Sequence, residues 1–265
     1  MEINTTDYQN AIKANIDVHS AMADDYNTIE PHFRPESIAR VDKIISNIYE
    51  THGFENALDL GCGTGFMINI LKKYAKNILG VDVTQAMMDK VNKSGNANIE
   101  LINSDTGVVK LKPRSYDIAT AYTFLDHLHD MSPTFRNCYN SLKEGGVFYA
   151  DLSPNAYFWD GVKRLPKHVK YNKILQREID AVTKKDEEIE KEFGVKKETF
   201  IQAEYQKHVE GGLQEEKVEA QLKAIGFSNV TFIYHWYVGQ AQLINNQEMS
   251  KEERFNHAEV MHDFL

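Results

Sequence analysis

The sequence predicts an α/β fold built on a mostly parallel sheet, and three observations carry that prediction. Short apolar runs of strand length recur at Ala57–Leu60, Ile78–Val83, Ile99–Asn103, Ile118–Tyr122 and Val147–Asp151. The intervals between them hold helical pattern and turn residues, the rhythm of βαβ units with helices on both faces of the sheet. The first run opens directly into a loop with glycines at 61, 63 and 65.

Composition narrows the class of protein. With 265 residues and 42% hydrophobic content the chain can bury one sizeable core with a smaller subdomain on it. A formal charge of −9 disfavours a polyphosphate partner, so no nucleic acid substrate is expected. The two cysteines, Cys62 and Cys138, do not suggest a disulfide framework, and Cys62 lies between two glycines of the loop. The first ten residues, MEINTTDYQN, lack the cationic and apolar pattern of a leader. No run approaches the roughly 18 apolar residues of a membrane span. The expected setting is the cytoplasm, with no membrane partner.

The elements follow in order. Residues 1–50 read as a helical cap: Ile38, Val41, Ile44, Ile45 and Ile48 repeat at helical spacing, while Pro31 and Pro35 divide the region into a helix, a turn and a second helix. Residues 51–152 and 213–244 form the sheet domain. Between them, 153–212 contain no convincing strand and read as an inserted, mostly helical lid, whose charged stretch KKDEEIEKEFGVKKE at 184–198 reads as a solvated helix face. A helix at Leu213–Ile225 ends at Gly226, and the runs Val230–Trp236 and Val238–Leu243 lie too close together for a crossover, so they predict an antiparallel hairpin. Residues 245–265 read as a polar helix or tail.

The loop decides the ligand class. Gly61, Gly63 and Gly65 suit a strand-to-helix turn that needs positive φ and close approach of a ligand to the backbone. Asp82 ends the next strand, where a carboxylate accepts from both hydroxyls of a ribose. The closing position of a Gly-x-Gly-x-x-Gly dinucleotide fingerprint is occupied by Phe66, and the loop has no lysine for a triphosphate. NAD and ATP both lose ground.

Asp59-x-Gly61-x-Gly63-x-Gly65, Asp82, and Ser104-Asp105-Thr106 after the third strand resemble the class I S-adenosylmethionine (SAM)-dependent methyltransferases, over residues 20–151 and 213–244. The resemblance implies a Rossmann-like seven-stranded, mostly parallel sheet of order 3-2-1-4-5-7-6, and the hairpin expected near residues 230–243 fits that ending. It implies SAM as cofactor, S-adenosylhomocysteine as product, and a small-molecule acceptor. It places Asp59 and the loop at Gly61–Gly65 against the methionine half, Asp82 on the ribose, Asp105 on the adenine amino group and Thr106 beside it. Val83, Met87 and Tyr122 join the cofactor wall.

The acceptor side rests on weaker signals. Methyl transfer needs alignment and exclusion of water, and a base only where the acceptor must lose a proton. Tyr122–Asp130 follows the fourth strand at the ligand-binding edge of the sheet and carries Asp126, His127, His129 and Asp130, of which His127 is the expected base and His129 an acceptor contact. Within Ala21-Met-Ala-Asp-Asp-Tyr26, the run from Ala23 to Tyr26 is similar to the Ala-x-x-Tyr element of small-molecule methyltransferases; the resemblance places Tyr26 near the methyl group. In Glu30-Pro-His-Phe-Arg34, His32 is expected to face the acceptor and Arg34 to bind the SAM carboxylate. Tyr157 and Trp159, with Phe158 between them, are expected to wall the acceptor from the lid. His208, His235 and Trp236 are further candidates, and no metal site is expected. The expected activity is methylation of an oxygen or nitrogen of a small metabolite, sugar or natural-product intermediate; a SAM-binding regulator without turnover and an NAD-linked oxidoreductase are the alternatives.

Overall fold

A computed structural model describes residues 5–166, 168–234 and 249–264. Its sheet has five parallel strands, β1 (Asn56–Leu60), β2 (Asn77–Asp82), β3 (Asn98–Asn103), β4 (Tyr116–Tyr122) and β5 (Leu142–Asp151), in the order β3-β2-β1-β4-β5. β1 and β4 are buried along nearly their whole length because helices cover both faces, whereas β3 at the edge alternates between half-buried and exposed residues. Strand order reverses between β1 and β4, which opens a crevice at their carboxyl ends.

The expected seven strands reduce to five among the described residues. Residues 230–234 pair with no strand, and the rest of the expected hairpin, with His235 and Trp236, lies outside the described residues. β5 also begins earlier than its apolar run. Leu142 pairs with Tyr116 and Val147 with Ile118, so the partner advances five positions while β4 advances two. Residues 143–146, ahead of the apolar run Val147–Asp151, bulge out of the ladder around Gly145 at φ +75°.

The helices are α1 (Thr5–Met22), α2 (Tyr26–Ile29), α3 (Pro35–His52), α4 (Phe66–Leu71), α5 (Gln85–Met88), α6 (Ser132–Ser141), α7 (Ala156–Lys163), α8 (Lys173–Thr183), α9 (Lys185–Phe193), α10 (Lys197–Ala203), α11 (Tyr205–His208), α12 (Glu215–Ile225) and α13 (Lys251–Phe264). Both prolines of the N-terminal region start elements: Pro31 opens a 3-10 turn, Pro31–Phe33, and Pro35 begins α3, where its missing N–H costs nothing.

Each sheet face has its own core. On one, Val41 and Ile45 of α3 and Met67, Ile70 and Leu71 of α4 meet Ala57, Ile78 and Ile118. On the other, Phe135 and Cys138 of α6 and Val218 and Leu222 of α12 meet Leu58, Leu60, Val81 and Ala119. Each fully buried aliphatic side chain contributes about 1.5–3 kcal/mol.

A third cluster lies apart from the sheet. Ala14, Val18 and Met22 of α1 bury against Ile189, Val195, Phe200 and Ala203 of the 153–212 segment. The charged stretch is accordingly not solvated all round: Ile189 points inward, and buried Asp186 pairs with Lys197 at 2.6 Å. Thus α1 and α9–α10 form one unit, and its α1 side lines the crevice. Farther out, α13 folds onto α8 with His257 beside Glu178.

Candidate active site

The end of β1 makes the cradle. After Leu60 the backbone passes through Gly61 (φ +72°) and Gly63 (+48°) before Gly65 (+90°) caps α4. A side chain at Gly61 would run into the Phe124 ring. The amides of Gly61 and Cys62 donate to the Val81 carbonyl at 2.8 and 3.1 Å, tying the loop to β2. Asp82 completes the tie. Its Oδ2 accepts from the Gly63 amide and its Oδ1 from the Thr84 amide, both at 2.8 Å. One carboxylate therefore shapes two loops, and each oxygen retains a lone pair for a further donor.

Asp59 lies one turn deeper, 1% exposed. Thr120 donates from Oγ1 to its Oδ1 at 2.7 Å, while its buried Oδ2 has no partner among the described residues. Burial pushes this carboxyl up to about 7; the Thr120 hydroxyl opposes the shift and the Asp82 charge adds to it. An orphaned, half-titrated carboxylate in a pocket wall suits a cationic ligand group.

At the far end, Asp105 Oδ1 accepts from the Gly107 amide at 2.8 Å and its Oδ2 accepts from the Tyr8 hydroxyl of α1. The carboxylate expected to face an adenine amino group therefore already has a partner on each oxygen. Thr106 turns its hydroxyl to Thr134 of α6 at 2.8 Å, while Val83 and Met87 line the wall between.

Across from the glycine loop stands the turn after β4. Tyr122 ends the strand with its ring stacked on Phe66, centroids 4.4 Å apart, so Phe66 fills the joint where a dinucleotide fingerprint has glycine. Thr123 follows at φ +47°, an unfavourable conformation for a β-branched residue. The chain then makes a 3-10 turn, Leu125–His127. Nδ1 of His127 lies 2.9 Å from the Ala203 carbonyl at the end of α10. A carbonyl only accepts, so Nδ1 carries the proton. The His19 ring of α1 meets His127 edge-on at 4.9 Å, and Asn15 donates to the His127 carbonyl at 3.1 Å.

The two histidines differ in charge preference. Burial drives His19 down to about 4, with the neighbouring His127 charge assisting. Burial also opposes a charge on His127, but Asp126, Glu204 and the Ala203 carbonyl outweigh it and hold this imidazole above its ordinary value. His32, ringed by Tyr26, Phe33, Phe66 and Tyr122, falls to about 3 because it is buried, so it is a neutral wall rather than a base near pH 7.

One pocket brings together Asp59, Gly61, Gly63, Asp82, Val83, Met87, Asp105, Thr106, Tyr122, Tyr26, His32, His127 and His129. Four expected residues stand elsewhere. Gly65 caps α4 from outside the pocket lining. Arg34 donates to the Thr28 carbonyl at 2.9 Å, because the extended residue before Pro35 directs it back along α2 rather than into the crevice. Tyr157 is 56% exposed and donates to Glu216 at 2.7 Å. Trp159 is buried inside the helical segment against His208, with Lys207 over its ring.

Sequence reading missed the residues supplied by α1. Tyr8, Ala11, Asn15 and His19 recur at helical spacing and line the pocket. Polar side chains set in a helix's inward stripe were the available signal. Thr64, whose hydroxyl donates to Asn27 at 2.5 Å, ties α2 to the glycine loop and was missed as well.

An open parallel sheet with a glycine loop, a carboxylate on the next strand tip and a covered crevice at the switch point defines a nucleoside-binding α/β domain. Residues 58–150 match the family described as "Methyltransferase domain". Over these residues the chain is similar to SAM-dependent methyltransferases. It is 29% identical over 134 residues to a ubiquinone biosynthesis O-methyltransferase of Saccharophagus degradans, covering 45% of this chain and 56% of the relative. A protein of the same description from Coxiella burnetii is 27% identical over 105 residues, covering 38% and 45%. The chain thus spans about half the length of the curated relatives it matches. Among solved structures, a SAM-dependent methyltransferase from Clostridium acetobutylicum is 25% identical with a TM-score of 0.45, covering 53% of this chain and 59% of that one.

Proposed function

We propose that this chain binds SAM in the Asp59–Asp82 cradle and transfers its methyl group to a hydroxyl oxygen, or secondarily a nitrogen, of a small acceptor that carries no anionic group. The observation that carries the reading is the meeting, in one covered pocket, of a preshaped ribose carboxylate, an orphaned carboxylate suited to an ammonium, and a histidine of fixed tautomer. The bound cofactor supplies an electrophilic methyl group on a sulfonium. Asp82 accepts from the ribose hydroxyls and Asp59 Oδ2 from the ammonium. Tyr26, His32, Phe33 and Tyr122 form an aromatic wall that excludes water and favours a cationic neighbour. Nε2 of His127 takes the acceptor proton.

The acceptor's charge is argued from the wall. Among the described residues that line the pocket there is neither lysine nor arginine. SAM brings its own carboxylate together with an ammonium and a sulfonium, whereas an acceptor carboxylate or phosphate would enter with no cation of its own and none in the lining to meet it. The O-methyltransferase description of the relatives favours oxygen first.

Calorimetry with SAM and S-adenosylhomocysteine tests the cofactor assignment, with one site per chain expected. Mass spectrometry of a panel pairing each phenol or amine with its carboxylated analogue tests the acceptor. Gain of one methyl by uncharged or cationic members is expected, and turnover confined to the carboxylated members would reverse the charge assignment.

A further inference from the structure

His127 is held by three segments distant in sequence. Its own turn carries Asp126; α1 contributes Asn15, bonded to its carbonyl, and His19 against its ring; the end of α10 contributes the Ala203 carbonyl on Nδ1. Glu204 follows immediately, its Oε2 accepting from Lys207 and from His208 Nε2 at 2.9 Å. Gln206 fastens the same stretch to the turn by donating to the Leu128 and His129 carbonyls at 2.9 and 3.0 Å.

We infer that the stretch Ala203–Gln206 positions His127: the Ala203 carbonyl holds the Nδ1–H tautomer, Gln206 fastens the stretch to the turn, and the Glu204 carboxylate next to Ala203 stabilises the imidazolium that forms when Nε2 accepts a proton. The purpose of this device rests on the methyl-transfer reading; the arrangement itself does not. Charged and titratable groups face His127 from every element around it: Asp126 on its own turn, His19 on α1, Glu30 between α2 and the Pro31 turn, Asp82 at the end of β2, and Glu204 and Lys207 beyond α10. The carboxylates differ in dependability. Burial favours the protonated form of Asp126 and Glu30, whereas Glu204, although buried, is driven well below the usual range by Lys207, His208 and His127. Of the three it is the one hydrogen-bonded to both Lys207 and His208, and it comes from the inserted segment, so docking of that segment on the turn completes the base.

In the reaction, the acceptor oxygen forms its bond to the methyl carbon as the C–S electron pair returns to sulfur. The acceptor proton passes to Nε2 of His127 and leaves to solvent when the segment lifts.

The test is a titration of the intact protein with its histidines labelled in the ring, His127 being assigned by loss of its signals in His127→Gln. Wild type is expected to show the Nδ1–H tautomer and a midpoint above about 6.5. Glu204→Gln should lower that midpoint by about one pH unit, Glu204→Asp should restore most of it, and Lys207→Met, which keeps the Glu204 charge, should raise it. An Nε2–H tautomer in wild type, or a midpoint that Glu204→Gln leaves in place, overturns the inference. If Glu204→Gln does not fold, an unchanged or lowered midpoint in Lys207→Met overturns it instead. SAM calorimetry on the wild-type sample reports separately on the methyl-transfer reading, because absence of binding defeats that reading while the histidine titration stands.

Discussion

The hydroxyl of Tyr8, near the start of the chain, donates a hydrogen bond to the Asp105 carboxylate at the end of β3. This contact closes α1 over one end of the pocket and engages the carboxylate expected to meet the adenine. Entry of the nucleoside must break or share it. Tyr8→Phe is therefore expected to speed SAM association by about ten- to a hundredfold at most, the equivalent of one hydrogen bond to a charged group. Stopped-flow fluorescence measures this; a slower or unchanged rate would show that α1 does not obstruct the entrance.

Asp59 predicts a pH dependence with a definite sign. Its folded-state value, about 7, lies above the ordinary carboxylate value of 3.8. The charged form that an ammonium requires is lost as the pH falls through 7, so SAM affinity should drop between pH 8 and pH 6, by up to about tenfold per unit below 7. Stability of the unliganded protein should run the other way, because the folded state binds the proton more tightly: it declines as the pH rises from about 4 to about 7. Asp59→Asn should abolish both trends and make the unliganded protein more stable at pH 8, on the order of 1–3 kcal/mol. Calorimetry and urea unfolding at three pH values decide it, and a destabilised Asp59→Asn at pH 8 contradicts it.

Gly61→Ala should remove SAM binding and leave the sheet folded. The new methyl collides with the Phe124 ring at a backbone angle that disfavours any side chain. Destabilisation of about 1–3 kcal/mol is expected from the strain and overpacking. Retention of wild-type affinity would mean that Phe124 moves aside freely.

Arg40 of α3 donates to Asp151 Oδ2 at 3.0 Å, and Asp151 also accepts from Tyr149 and, through Oδ1, from the Leu152 amide at 2.6 Å. Arg40→Met removes the cation from a carboxylate that is almost wholly buried. A loss of about 2–4 kcal/mol is expected, below the full cost of an isolated buried charge because the other donors remain. Chemical denaturation measures the loss; a change under half a kcal/mol would mark the pair as solvent-screened.

The parts of the fold that sequence could reveal are those with local causes. The strands β1 and β4 announce themselves because burial on both faces demands apolar runs, and Asp82 because the tip of the second strand has a fixed place beside the glycine loop. β5 was shortened because Lys143–Gly146 carries turn chemistry inside a strand. Arg34 and Trp159 were misplaced for a different reason: a cation beside a prolyl turn and an aromatic in a lid have the right chemistry, but neither composition nor spacing states where the side chain points. Asn15 and His19 offer only the faint signal of polar residues in a helix's inward stripe, and Glu204 offers none, since it is the docking of α1 and α10 onto the Leu125–His127 turn that brings the first two to the pocket and the third next to the carbonyl that His127 bonds.

Asp82 grips the Gly63 and Thr84 amides with its own oxygens, so the floor of the pocket holds its form with no visitor to brace it. Little reorganisation energy is then gained or lost there when a reacted nucleoside departs. The slow gate in a catalytic cycle should consequently be the roof, and residence times should respond to changes in α1 and α10 far more than to conservative changes beneath.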